Sequence, residues 1–468
     1  ELNPESGEYQ EELWYGENGE LAKALRAVRA LEISSFDTDG FEQTKFLSLS
    51  DAQIDAIVAS RVLSFTAVKT IEDNAKDDES LIALPDVLNS EKAEYDESLW
   101  YGANGELAKV LKALKALNLA SFESDFSLQA VFEEAKGPAE DEVILASKVI
   151  EATFINKIEK EAAGSLAGTL IIPEDVVWER SGGDRGELRR FLIAIEVIIG
   201  EADLSTAEFD VDKFLGPNQN KLLDSSIVEA SAIHFIINSD KLIIPHPADQ
   251  ATYYFFENET IVWEGEDGEL RRFLAGIESI LGTDSFATLT FTMDKFMEVD
   301  FELALRSRVL EATLADMVGG MISGSLNGMI KEPDNGYHWF HHATCEAAQA
   351  DVRTIRRGEF VLPSGANQYS DLSGFLKAIQ KFLDSGLNYE NVNKYTIADA
   401  DTQLLAEAMI NYSRVIRGSI ATLLNKALED VDHPLKPEFS EEDFENATVI
   451  QVKAALDAFS LFVKTFIS

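Results

Sequence analysis

A helix-forming stripe that returns six times at nearly even spacing constrains this chain more than any other feature of its sequence. Leu270, Phe273, Leu274, Ile277, Ile280 and Leu281 stand at i, i+3, i+4, i+7, i+10 and i+11, the buried face of an amphipathic helix and a spacing no strand requires. The same offsets open at Leu21, Leu107, Leu188, Leu372 and Val452, so successive intervals are 86, 81, 82, 102 and 80 residues. A recurrence of this kind marks a chain assembled from similar units that bury their cores partly within themselves and partly against their neighbours.

Four of the stripes are introduced alike, by Asn18-Gly19-Glu20, Asn104-Gly105-Glu106, Arg185-Gly186-Glu187 and Asp267-Gly268-Glu269. The Asn or Asp is expected to cap the first free N–H groups, and the glutamate to favour the positive end of the helix dipole. The glycines lack the spacing of a phosphate-binding loop. Trp14, Trp100, Trp178 and Trp263 precede the same four helices, where an indole can cover the end of a core. They are also the candidate ligand-binding residues, as a row of aromatics able to stack on sugar rings or a peptide.

Downstream of each stripe comes a short aromatic segment, as in Phe41–Phe46, Phe209–Phe214 and Phe291–Phe296, whose second aromatic is expected to plug the core; helix and strand remain open there. A second helix follows, clearest in Ser147-Lys148-Val149-Ile150-Glu151-Ala152-Thr153 and Ser307-Arg308-Val309-Leu310-Glu311-Ala312-Thr313, with a variant at Ser226-Ile227-Val228-Glu229-Ala230-Ser231. Its small Ala and Ser or Thr positions permit close helix approach. It runs out into Leu81-Ile82-Ala83-Leu84-Pro85, Leu170-Ile171-Ile172-Pro173 and Leu242-Ile243-Ile244-Pro245. These β-branched runs ending in proline read as short strands, as does Glu259–Trp263.

The expected fold is therefore mainly α: an elongated array of about five tandem helical units of roughly 80–100 residues, with short β-strand pairs between helices. The boundaries read 1–12 as a lead-in, 13–97, 98–175 and 176–260 as units one to three, and 261–368 as unit four with an insertion at 334–368. Residues 369–440 form unit five, and 441–468 a partial unit or capping helix.

Against 40 Lys and Arg the chain carries 83 Asp and Glu, a net charge of −43 spread through every unit. Such a surface repels nucleic acid and anionic lipid and attracts cations in bulk. Cys345 is the single cysteine, so no disulfide forms within the chain. No apolar run of about 18 residues suggests a membrane span. The chain opens on Glu1, which reads as a removed leader or an excerpt from a longer protein.

Half of the six histidines lie close together, in His338-x-x-His341-His342-x-x-Cys345. Imidazole and thiolate are zinc ligands, and this spacing would gather them on one side of a helix. No built-in glutamate base accompanies them. Phe36-Asp37-Thr38-Asp39-Gly40 and Phe209-Asp210-Val211-Asp212 invite a calcium reading, but counting from Ser35 the twelfth residue is Phe46 where a bidentate glutamate is required. Weak binding of divalent cations by the acidic surface is all that remains of that reading. The pairs Arg189-Arg190 and Arg271-Arg272 lie off the apolar stripe, placed for surface salt bridges between neighbouring units.

Ser-x-Val/Ile-Ile/Leu-Glu-Ala-Thr, followed by Leu-Ile-Ile-Pro and Gly-Glu-Leu, resembles the degenerate tandem helical segments of some very large bacterial cell-surface proteins. That resemblance implies a structural or adhesive role outside the cell and transfers no functional residue. The residues themselves carry no recurring nucleophile, base or cofactor fingerprint. They point to a non-catalytic scaffold, adhesin, filament or surface-layer component with protein partners or self-association. Two alternatives stand beside it: a carbohydrate- or peptide-binding module using the tryptophan row, and a metalloenzyme centred on the His/Cys insertion.

Overall fold

The computed structural model describes residues 1–33, 43–47, 49–76, 82–118, 142–178, 186–199, 209–244, 261–282, 284–297 and 301–323, together with 376, 379 and 380. The described chain is mainly helical, with twelve α-helices and no strand. The helices are α1 (Glu20–Ala30), α2 (Asp51–Ala59), α3 (Arg61–Ala75), α4 (Glu106–Leu117), α5 (Lys148–Ala163) and α6 (Glu187–Ile199). They continue as α7 (Gln219–Leu222), α8 (Ser226–Ile237), α9 (Glu269–Leu281), α10 (Met293–Met297), α11 (Phe301–Ala304) and α12 (Arg308–Ser323).

The chain divides into two compact bodies, Glu1–Phe209 with Pro217–His234, and Asp210–Gly216 with Phe235–Ser468. In the first body α1 lies on α2 and α3, α4 meets α2, α3 and α5, and α6 meets α5 and α7. In the second, α9 lies against α10, α11 and α12. The described stripe residues of α4, α6 and α9 are buried, from Leu107 to Leu117, Leu188 to Ile198 and Leu270 to Leu281. Of the stripe that begins at Leu372, Leu376 and Ile379 are described, and both are buried. The expected aromatic plugs are in place: Phe46, Phe214 and Phe296 are buried, the first two in single 3₁₀ turns and the third in α10.

The helix starts differ from the sequence expectation. The N-caps of α1, α4 and α9 are Gly19, Gly105 and Gly268, and no side chain caps them. Backbone carbonyls of the tryptophan segment take the free N–H groups instead. Glu269 and Leu270 donate to the carbonyls of Val262 (2.8 Å) and Trp263 (3.1 Å), Glu187 to Val177 (3.0 Å), and Leu21 to Trp14 (3.2 Å). This wrapped approach is what requires glycine: a Cβ on Gly105 would stand 2.3 Å from the Tyr101 carbonyl oxygen. The turn closes through Gly16, Gly102 and Gly265, whose φ of 95°, 95° and 90° suits glycine.

The strand expectation also fails among the described residues. Ile82–Pro85, Ile171–Pro173 and Ile261–Trp263 have no regular structure. The reason is where their backbone hydrogen bonds go. Ala83, Ile171 and Ile243 donate to side-chain hydroxyls of Thr153, Ser231 and Thr313 on helices, not to a neighbouring strand. Residues 253–260 lie outside the described residues. So do the stripe from Val452, the Ser35–Asp39 segment and the insertion at 334–368.

Residues 1–12, read from sequence as a lead-in, fold as residues 87–98 do. Glu5 N–H and Glu91 N–H donate to the side-chain oxygens of Asn3 and Asn89, each at 3.0 Å. Gln10 N–H and Asp96 N–H close the two loops onto the carbonyls of Glu1 and Val87, each at 2.9 Å.

Candidate functional site

The chain's most regular chemistry is a buried carboxylate at the start of each stripe helix. Glu20, Glu106, Glu187 and Glu269 each follow a glycine and are 0–3% exposed. Each reaches across to the N-terminus of a second helix. Glu106 Oε1 accepts the Ser147 hydroxyl at 2.6 Å and the Val149 N–H at 3.1 Å, while Ser147 Oγ accepts the Ile150 N–H at 3.2 Å. Glu20 makes the same pair of bonds with Ser60 (2.6 Å) and Val62 (3.0 Å). So do Glu187 with Ser225 (2.6 Å) and Ile227 (3.1 Å), and Glu269 with Ser307 (2.7 Å) and Val309 (3.0 Å).

A carboxylate and a serine thus satisfy the free N–H groups of a helix start and complement its positive end. The third copy corrects the sequence alignment by one residue: the capping serine is Ser225, not Ser226. The second carboxylate oxygen meets a cation one turn on: Lys109 Nζ lies 3.8 Å from Glu106 Oε2, Arg190 Nε 3.3 Å from Glu187 Oε2, and Arg272 Nε 3.9 Å from Glu269 Oε2. Burial raises the Glu269 carboxyl above its ordinary range, while the Ser307 hydroxyl, the Val309 and Arg308 N–H groups and Arg272 pull it back.

A second contact joins segments farther apart in sequence. Thr153 Oγ1 donates to the Val149 carbonyl one turn back (2.7 Å) and accepts the Ala83 N–H (3.2 Å). Ser231 and Thr313 do the same, donating to Ile227 and Val309 (2.7 Å each) and accepting from Ile171 (2.9 Å) and Ile243 (3.0 Å). In each case the donor sits two residues before a proline, namely Pro85, Pro173 and Pro245.

The four tryptophans do not share one environment. Trp100 is 0% exposed, and its indole N–H has no hydrogen-bond partner. Trp14 is half-buried with its Nε1–H donating to the Leu2 carbonyl at 3.0 Å, and Trp178 and Trp263 are also half-buried. The arginines divide as well. Arg189 bridges to Glu142 at 2.8 Å, a contact between segments assigned to units two and three, whereas Arg190 and Arg272 turn to the buried glutamates of their own helices.

His338, His341, His342 and Cys345 lie outside the described residues. Among the described residues no His, Cys, Asp or Glu group is arranged to hold a metal ion, and no helix is long and apolar enough to cross a membrane. Asp210 and Asp212, read for calcium, accept backbone N–H groups of Asp212 (3.3 Å) and Phe286 (2.8 Å). A pocket of about 320 Å³ lies among Glu72, Lys76, Leu84, Asn89, Ser90 and Glu91, with Lys76 paired to Glu91 at 3.1 Å.

Comparison with protein-family models, curated proteins and solved structures finds no match to this chain.

Proposed function

We propose that the chain is a non-catalytic tandem-repeat scaffold, of the structural or adhesive kind that works outside the cell through protein contacts. The observation that carries this reading is the use to which its recurring polar residues are put. Glu20, Glu106, Glu187 and Glu269 are spent on serines and helix N-termini, and the hydroxyls of Thr153, Ser231 and Thr313 on the backbone of a segment 60–70 residues away. Each contact joins helices within a unit or a unit to its neighbour, the pattern of a solenoid whose stability is a sum of unit and nearest-neighbour terms. The net charge of −43 supports solubility and disfavours nucleic acid as a partner.

Mechanical unfolding of the full chain by force spectroscopy tests the reading. Units of roughly 80 residues that give way one at a time under load release successive steps of about 280 Å in contour length, from ~3.5 Å per extended residue. One step releasing the whole length would refute the tandem organisation. Steps with equal spacing on a chain that also turns over a substrate would refute the non-catalytic part.

A further inference from the structure

One buried carboxylate falls outside the recurring pattern. Glu72, on α3, is 7% exposed, and among the described residues its Oε1 has no hydrogen-bond partner. The four glutamates at the stripe-helix starts hold serines and N–H groups, and the buried Glu311 takes Arg308 Nη1 at 2.8 Å. Glu72 stands twelve residues after the capping Ser60, where the other copies carry an exposed Glu159, an exposed Ile237 and Gly319. It is therefore no part of what the units share. It lines the pocket of about 320 Å³, with Ala75 and Leu84 as the apolar wall and Lys76, Asn89, Ser90 and Glu91 around it. Lys76 lies one turn on from Glu72, the ordinary place for a counter-ion, yet its ammonium pairs with Glu91 at 3.1 Å. The Asn89 side-chain oxygen accepts the Glu91 N–H at 3.0 Å, which leaves its amide N–H groups to donate. The Tyr95 phenol shares this environment: burial, then the Glu72 charge, and further down a hydrogen bond to that carboxylate raise it above its ordinary range. Such a bond engages one carboxylate oxygen and leaves Oε1 without a donor.

We propose that this pocket binds a small hydroxylated primary amine, an amino alcohol or amino sugar, whose ammonium meets Glu72. A buried carboxylate without a counter-ion is costly, and a ligand that brings positive charge and hydrogen-bond donors removes that cost. A primary ammonium supplies three donors in one compact group. Calcium would need about six to eight oxygen ligands, whereas the carboxylates lining the pocket are those of Glu72 and Glu91, and Glu91 is engaged by Lys76. An anion would meet both carboxylates. A second ammonium on the ligand would meet Lys76, so a single charge fits best. The Asn89 amide and the Ser90 hydroxyl suit hydroxyl groups on the ligand, and Ala75 and Leu84 offer only a small apolar surface. The volume is at the small end of ligand pockets. None of the hydrogen bonds that join the helices of a unit or neighbouring units is used here, so the pocket stands apart from the scaffold reading.

The test is isothermal titration calorimetry of the full chain with glucamine, a polyol ending in a primary amine, and with sorbitol as its uncharged analogue. Salt at about 0.15 M screens attraction to the acidic surface. Glucamine is expected to bind once per chain, and sorbitol to give no heat of binding. Glu72→Gln, which keeps the shape and removes the charge, should weaken glucamine binding about 10-fold or more, the effect of a hydrogen bond to a charged group. Helical circular dichroism checks that this variant is folded. Glu159→Gln, at the corresponding exposed place in the next unit, should leave the affinity unchanged. Equal binding of sorbitol, equal weakening by the two variants, or no saturable binding of glucamine would overturn the proposal. The comparison of glucamine with sorbitol on the unaltered chain decides the matter even where a variant does not fold. Calcium chloride that binds where glucamine does not, and is lost on Glu72→Gln, would overturn the amine assignment in favour of a metal ion.

Discussion

Replacing Glu187 by alanine removes more than its side-chain volume. Its carboxylate is fully buried and takes the Ser225 hydroxyl at 2.6 Å and the Ile227 N–H at 3.1 Å, with Arg190 Nε at 3.3 Å from its other oxygen. A hydrogen bond to a charged group contributes about 1.5–3 kcal/mol, and a buried donor left without an acceptor costs about 1–3 kcal/mol. Arg190 keeps some access to water, since its side chain is 25% exposed, so its loss of a counter-ion is the smaller effect. Allowing for overlap, Glu187→Ala should destabilise by about 3–5 kcal/mol, the range found when one partner of a buried charged contact is deleted. In a cooperative body of about 200 residues that lowers Tm by about 6–20 °C. Ser225→Ala loses the cap on Val228 and the bond to Glu187, and should cost about 1–2 kcal/mol. The double variant should fall short of the sum by about 1 kcal/mol or more, because both changes delete one shared bond. Thermal unfolding followed by helical circular dichroism measures all four proteins. A Glu187→Ala cost below about 1 kcal/mol, or strict additivity, would show that the carboxylate is only a solvated surface charge.

Three further outcomes follow from the same contacts. Thr153→Val should cost about 1–2 kcal/mol by leaving the Ala83 N–H without its acceptor, while Thr66→Val, at the corresponding place on α3 but with no such donor among the described residues, should stay within about 0.5 kcal/mol; equal losses in chemical denaturation would contradict the assignment of the donor. Gly105→Ala should destabilise by about 1–3 kcal/mol because its Cβ meets a backbone carbonyl, whereas Gly7→Ala, which meets nothing within 4 Å, should be near neutral. The raised Glu269 carboxyl means the folded state holds that proton to higher pH than the unfolded state does. Its contribution to stability therefore falls as pH rises from the ordinary carboxylate value through the folded value. The Tm of Glu269→Gln relative to the parent should rise across that window, and a difference independent of pH would rule out the effect.

The apolar skeleton of the described helices was legible in sequence because burial imposes a period, and Leu107, Val110, Leu111, Leu114 and Leu117 show it without help from tertiary structure. The plugs at Phe46, Phe214 and Phe296 were legible for the same reason. What periodicity cannot report is where a polar side chain finds its partner. Glu106 looked like a local helix-start signal and Ser147 like a small residue that lets another helix approach, and their shared bond crosses 41 residues. The available sign was that a Glu after glycine recurs with a Ser at separations of 40, 41, 38 and 38 residues. The strand expectation failed for a related reason. β-Branched residues before proline do favour extended backbone, but a strand also needs a neighbouring strand, and here the N–H groups found helix hydroxyls. The asparagine caps failed because glycine let the tryptophan-segment carbonyls come close enough to do the capping themselves.

A glutamate so deeply buried needs a reason to persist, since buried charged contacts can often be replaced by apolar side chains at no loss. That exchange works when both partners can be changed together. At Glu106 one partner is the Ser147 hydroxyl, but the other is the Val149 N–H, a backbone group at a helix start that no substitution removes. An apolar residue there restores volume and leaves the donor stranded. Glu106→Met, close to glutamate in length and helix preference, separates the two contributions. If the stranded N–H dominates, methionine should recover less than half of the stability that Glu106→Ala loses. If methionine recovers nearly all of it, volume alone explains the glutamate, and the four buried carboxylates would be fillers rather than caps for a distant helix.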